Sequence, residues 1–139
     1  MTVISIRSAY EVGRQMNPAL VQGQILGGAW MAVSHALYET TEPYYPVRDH
    51  RPHDFGEYLM PGPGETPEIE SVVLEVPSSN GPYGAKGVGE MTANSPIPAI
   101  VNAIYDATGV RVDHLPVRPE DILRGLDALA AAGTKEGVA

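Results

Sequence analysis

Asn17-Pro18-Ala19-Leu20-Val21-Gln22-Gly23-Gln24-Ile25-Leu26-Gly27-Gly28-Ala29-Trp30-Met31-Ala32-Val33 is the stretch on which the fold turns. Asn17 offers an N-cap oxygen, and Pro18 stands at the first helical position, where a missing N–H costs nothing. A helix therefore starts here and runs to about Tyr38. Apolar residues fall on nearly every face, with Gln22 and Gln24 as the polar interruptions, so the pattern predicts a buried helix rather than an amphipathic one. Gly23, Gly27 and Gly28 each cost about 1 kcal/mol relative to alanine in a helix interior. Their presence implies that something approaches the backbone closely.

Upstream of the helix, Thr2, Val3, Ile4 and Ile6 are β-branched and predict an opening strand over residues 2–12. Downstream, residues 40–67 include Pro43-Tyr44-Tyr45-Pro46 and Pro61-Gly62-Pro63-Gly64, which read as a long structured loop able to serve as an interface arm. A strand over 68–76 would place Val72, Leu74 and Val76 on one face and Glu75 on the other. Pro77 ends it. A glycine-rich loop over 77–90 precedes Asn94-Ser95-Pro96, a second cap-plus-proline signal, and a helix over 96–108 closes on Gly109. Val110 to Val117 reads as a short extended piece. Pro119-Glu120-Asp121 opens a last helix to about Ala132, stopped by Gly133. The expectation is an α+β fold with one domain over residues 1–132 and a mobile tail over 133–139.

Composition narrows the function. The chain has 139 residues, and its 9 Lys+Arg against 17 Asp+Glu give a net charge of -8. Nucleic acid is then a poor partner, because no excess of positive charge exists to grip phosphates. A hydrophobic content of 43% is enough for a core, and no apolar run approaches the roughly 20 residues that span a bilayer. Residues 1–7 lack a secretory signal pattern, and the chain reads as soluble and cytoplasmic. With no cysteine, it holds neither a disulfide nor an iron–sulfur cluster on its own thiolates. The 15 glycines and 13 prolines make up about 20% of the chain, against an average near 12%, and imply a folded domain rich in turns.

Few residues advertise chemistry. His50-Arg51-Pro52-His53-Asp54 has a proline between its histidines and no third strong ligand, so it reads as a surface loop. His35 reads as a satisfied core histidine and His114, beside Asp113, as solvent-facing. No nucleophile elbow is present. The loop Gly84-Ala85-Lys86-Gly87-Val88-Gly89-Glu90 matches neither the dinucleotide fingerprint nor a phosphate loop. Its glycines let the backbone turn sharply near a ligand and place Glu90 at the mouth of whatever the loop surrounds. Spacing alone leaves Glu90 open between an exposed turn residue and a positioned acid/base.

The motifs taken together carry more. Gly13-Arg14, Asn17-Pro18, Gly23-Gln24 and Gly27-Gly28, then Tyr58-Leu59-Met60-Pro61, Pro67-Glu68-Ile69-Glu70, the run from Asn80 to Glu90, and Asn102-Ala103-Ile104-Tyr105-Asp106-Ala107-Thr108-Gly109 occur in consistent order and spacing. Over about residues 10–126 the chain resembles the C-terminal part of the molybdenum-binding large subunit of the xanthine dehydrogenase and aldehyde oxidase family. That family also includes carbon monoxide dehydrogenases and bacterial N-heterocycle hydroxylases.

The resemblance implies a fragment of the molybdopterin-binding domain. Glu90 would be the catalytic base toward a hydroxyl held by the metal. Gln24 would hydrogen-bond the pterin, its amide offering both a donor and acceptors, and Gly87, Val88 and Gly89 would lie against the cofactor. As a helix residue bonded only to backbone, Gln24 would have a plain structural role instead. Lys86 would pair with Glu90, contact substrate or simply support the loop. No protein metal ligand is implied, since the pterin holds the metal.

The implied cofactors are molybdenum with molybdopterin, in its cytosine dinucleotide form, and FAD and [2Fe-2S] clusters on partner subunits. The implied partners are the remainder of the molybdenum-binding subunit, an iron–sulfur subunit and a flavin subunit. Family large subunits run to several hundred residues, so this chain would be the small piece of a split subunit or an isolated domain. The implied reaction oxidises a C–H bond of an aldehyde, an N-heterocycle or a similar small substrate, with water as the oxygen source. A non-catalytic assembly domain that keeps the fold is the rival reading, and a stand-alone enzyme using Glu90 without metal is a third.

Overall fold

The computed structural model describes residues 1–43 and 51–136. The element order is β1 (Ser5–Glu11), α1 (Pro18–Leu37), β2 (Glu68–Leu74), α2 (Met91–Asn94), α3 (Pro96–Thr108) and α4 (Pro119–Glu136). This is the α+β composition expected: helices with one small sheet. Among the described residues no helix is long and apolar enough to cross a membrane. The chain divides into two compact units, Thr2–Val33 with Pro61–Ile97, and Ser34–Met60 with the chain from Pro98 onward.

In the first unit β1 and β2 pair in parallel, from Ser5 opposite Glu68 to Glu11 opposite Leu74. Parallel neighbours require a long crossover, which here contains α1. Strand alternation directs Ile6 and Tyr10 of β1 inward, with Ile69 and Val73 of β2 half-buried. Tyr10, Val12, Val21 and Ile25 form the core, with Val73, Val88 and Met91 packed against it. Ile69 and Val73 mark the inward face of β2, since Val72, Leu74 and Val76 are each more than half exposed. Alternation by itself marks two faces without saying which is covered, and both faces of β2 carry aliphatic residues.

Helix α1 starts as its cap predicts, with Asn17 Oδ1 accepting the Leu20 N–H at 3.1 Å. It is buried on one face only. Val21, Ile25, Gly28, Ala29, Ala32 and Val33 are covered, while Leu20, Gly23, Gln24 and Gly27 are exposed. The all-round apolar pattern overstated what is covered, because no other element among the described residues buries the outer face.

In the second unit Val110, Val117 and Ile122 form a core, joined by Leu37, Val101, Ile104 and Val112. Gly109 takes a φ of +72° and ends α3 as the sequence predicts. Gly125 lets α4 lie against Val110, since a Cβ there would fall 2.3 Å from a Val110 methyl. The stretch 110–117 forms no strand. Its one backbone anchor to α1 is the Val117 N–H, which donates to the Ala36 carbonyl at 2.8 Å. Helix α4 continues through Gly133 to Glu136 rather than stopping at 132. A single glycine costs only about 1 kcal/mol, too little to break a helix after an alanine-rich turn.

Of the predicted arm, residues 44–50, which include Tyr44-Tyr45-Pro46 and His50, lie outside the described residues, as do residues 137–139 of the tail. Beyond the gap, the loop bonds to itself: Tyr58 donates its hydroxyl to Glu39 at 2.7 Å, and His53 Nδ1 lies 2.8 Å from Glu57. His35 is not a core residue. It is 45% exposed and lies 3.7 Å from Glu39, one turn on.

His114 is solvent-facing as expected, and it ties the chain before α4 to that helix. Its Nδ1 lies 3.2 Å from Asp113 and its Nε2 3.1 Å from Asp121. Asp121 also caps α4 by accepting the Arg118 N–H and pairs with Arg124. Carboxylates at both ring nitrogens require both to carry protons, and Asp113 first, then Asp121, hold the imidazole pKa above its ordinary 6.5. A raised folded value means that the stabilisation is complete below 6.5 and is lost as pH rises through the folded pKa. Thermal unfolding followed across that range should show this loss, and His114→Gln should flatten it. An unchanged pH profile in the variant would remove His114 as the source.

Candidate functional site

The glycine-rich loop is fastened to the end of β1 by backbone. Val12 accepts the Lys86 N–H at 3.1 Å, Gly84 accepts the Arg14 N–H at 3.0 Å, and Gly13 bridges Ala85. Two positions in this seam admit only glycine. Gly13 has a φ of +65°, and a Cβ on it would lie 2.5 Å from the Gly84 oxygen; Gly84 itself has a φ of +83°. Sequence reading put the close approaches of the loop at its glycines, and the structure locates them at residues 13 and 84.

Beyond Lys86 the loop leaves this seam. Gly87 and Gly89 have open space where a Cβ would stand. Among the described residues, the N–H groups of Gly87, Val88 and Gly89 find no acceptor. Val88 itself is half-buried against the core and anchors the segment. Glu90 follows at the N-cap of α2, where its backbone carbonyl accepts the N–H groups of Ala93 and Asn94 at 2.9 and 3.1 Å. Its side chain is exposed and engages no group among the described residues.

Thr92 connects this turn to α1. It is fully buried, and its hydroxyl lies 2.9 Å from the Gly89 oxygen and 3.2 Å from the Gln24 oxygen, so one proton is shared between two carbonyls. The threonine can come so close because residue 28 is glycine, whose Cβ would otherwise sit 1.9 Å from Thr92 Oγ1. Tyr10 braces the same point, donating to the Thr92 carbonyl at 3.1 Å and meeting Ser95 Oγ at 3.0 Å. The turn bearing Gln24 and the turn bearing Glu90 are thus joined through one buried hydroxyl. The Gln24 side chain, like that of Glu90, is exposed and unpaired among the described residues.

Among the described residues Lys86 pairs with Glu11 and not with Glu90. The Lys86 ammonium meets Glu11 Oε2 at 2.5 Å. Lys86, then the Gly13 N–H, hold the Glu11 carboxyl below its ordinary pKa of 4.5. Thr92, Tyr10, Ser95 and Glu11 were missed in the sequence. Tyr10 and Glu11 sit in a strand whose pattern says nothing of partners some 75 to 85 residues away. A hydroxyl residue two places after Glu90 was the one available sign of Thr92.

The site therefore offers an open helix face with a free amide, a run of free N–H donors and a free carboxylate, with no titratable metal cage. Among the described residues no group of three or more His, Asp or Glu side chains could hold a metal ion. Such a donor set suits a polar organic cofactor lying over bare glycine backbone better than a bare ion.

Comparison with known proteins identifies the class. Residues 1–67 match the family described as molybdopterin cofactor-binding domain. The chain is 36% identical over 135 residues to the gamma subunit of the 6-hydroxypseudooxynicotine dehydrogenase complex of Paenarthrobacter nicotinovorans, covering 94% of this chain and 17% of that one. It is 35% identical over 133 residues to an aldehyde oxidoreductase of Megalodesulfovibrio gigas, 91% of this chain and 14% of that protein. In three dimensions it resembles quinoline 2-oxidoreductase from Pseudomonas putida 86, with a TM-score of 0.79, 29% identity, and coverage of 91% and 16% of the two chains. The aldehyde oxidoreductase of Desulfovibrio desulfuricans superposes with a TM-score of 0.77 at 40% identity, over 89% of this chain and 13% of that one.

Over most of its length the chain is similar to a fragment of the molybdenum-binding subunits of xanthine dehydrogenases, aldehyde oxidoreductases and carbon monoxide dehydrogenases. It spans about one sixth of the length of the relatives it matches.

Thr92→Val keeps the shape and removes the hydroxyl, so the chain should lose about 1–3 kcal/mol of stability. Amide exchange at 87–90 should quicken at the same time, because the loop loses its tie to α1. Denaturant unfolding with exchange mass spectrometry reads both. Wild-type exchange in the variant would mean that the joint is held elsewhere.

Proposed function

We propose that this chain is the part of a molybdenum hydroxylase that carries the catalytic base, Glu90, and one side of the pterin site, Gln24 with Gly87, Val88 and Gly89. One observation supports this above the others: the buried Thr92 hydroxyl joins the Gln24 and Gly89 carbonyls, so a free amide and a free carboxylate stand on adjoining turns. A scaffold has no use for either group left unpaired. The reaction is oxidation of a C–H bond in an aldehyde, an N-heterocycle or a similar small molecule, with oxygen from water.

The residues fit the cofactor by donor chemistry. Gln24 presents a donor and an acceptor to the edge of a pterin, and Gly23 and Gly27 leave the helix surface bare beside it. The free N–H groups of 87–89 suit oxygen or phosphate acceptors. When bound, molybdopterin, in its cytosine dinucleotide form, would supply a molybdenum centre able to accept two electrons. Glu90, the exposed carboxylate where the loop meets α2, would hold the proton given up there.

The apolar outer face of β2 supports docking to the remainder of the molybdenum-binding subunit, since a two-stranded sheet is marginal on its own. An iron–sulfur subunit with [2Fe-2S] clusters and a flavin subunit with FAD would supply the electron acceptors.

In the complete complex, Glu90→Gln should assemble with normal molybdenum and pterin content, while reduction by substrate slows about 10²–10⁴-fold. A fully loaded variant that is reduced at more than about a tenth of the wild-type rate would place the base elsewhere. Gln24→Leu keeps the volume and removes the hydrogen bonds, so pterin should be lost faster on dialysis. Unchanged retention would leave Gln24 a purely structural residue.

A further inference from the structure

The two oxygens of Glu11 have separate tasks. Oε1 accepts the Gly13 N–H at 2.6 Å and the Val76 N–H at 3.2 Å, closing the end of β1 onto the end of β2. Oε2 is left for the Lys86 ammonium. The ion pair is about one-third exposed on each side, at 39% and 34%, so solvent does not fully screen it. The other charged groups at this end of the sheet are Arg14, whose N–H is held by Gly84, and Glu75, which accepts the Gln15 amide at 2.8 Å.

Lys86 and Glu90 are four residues apart, a span of at most roughly 14 Å, and Gly87 and Gly89 between them carry no side chain. Glu90 is the carboxylate of this loop and has no partner among the described residues, so an ammonium released from Glu11 has it as the nearest vacant acceptor along the chain. A carboxylate paired with a lysine is a weaker base.

We propose that Glu11 is a positioning residue for the base: it holds the Lys86 ammonium on the end of β1 and so keeps Glu90 free to take a proton. The inference rests on the reading of Glu90 as the base. The lowered pKa of Glu11 agrees with a pair that is formed at neutral pH.

Glu11→Gln in the complete complex separates the two tasks of this side chain. The glutamine carbonyl oxygen still accepts the Gly13 and Val76 N–H groups, while its NH2 repels the ammonium that Oε2 had held. A crystal structure of the variant complex should show Lys86 Nζ paired with Glu90. The acid limb of the kcat/KM profile should move down by about one pH unit, with the plateau several-fold lower.

Adding Lys86→Met removes the ammonium, so the double variant should return both limb and plateau to wild type. Lys86→Met alone should leave the limb in place. The inference is overturned by a limb that stays put in Glu11→Gln, by Lys86 found away from Glu90 in those crystals, or by a double variant no better than the single. A failed base assignment shows itself independently, as activity retained in Glu90→Gln.

Discussion

The site depends on one contact, the buried hydroxyl of Thr92 pressed against the bare backbone of Gly28. A hydroxyl removed from water must find acceptors, and here two carbonyls supply them: Gly89 on the loop and Gln24 on the helix. The geometry is available only because residue 28 has no Cβ. Tyr10 then fixes the other side of Thr92, so sheet, helix and loop meet at one residue. The turn that bears Gln24 and the loop that leads into Glu90 are joined at that point.

The loop is held tightly at one end and loosely at the other. From Gly84 to Lys86 it is bonded to the end of β1, and from Gly87 to Gly89 its N–H groups have no acceptor among the described residues. Rigid support beside unpaired donors is the arrangement that a binding segment needs, since bonds made within the fold would compete with those made to a ligand. The acidic balance of the chain fits the same picture, because local N–H groups rather than a field of lysines would meet a polar cofactor.

Two surfaces expose apolar side chains among the described residues. The outer face of β2 exposes Val72, Leu74 and Val76, and the outer face of α1 exposes Leu20 beside the bare Gly23 and Gly27. The relatives that share this fold are about six times longer than this chain.

The sequence by itself determined the elements whose signals are local. Asn17-Pro18 started α1, Gly109 ended α3, and Pro119-Glu120-Asp121 opened α4, because caps and prolines act through the backbone of their own turn. Motif order likewise carried the family. Tertiary structure alone decided which apolar face of β2 turns inward, that α1 is covered on one side, and that Lys86 reaches Glu11 instead of Glu90. Each of these depends on partners far away in the chain, and a periodic pattern records that a face is apolar without recording what lies across from it. Gly28 shows the boundary between the two: its cost in a helix was visible in the sequence, but the threonine that explains it lies 64 residues further on and became visible only in the folded chain.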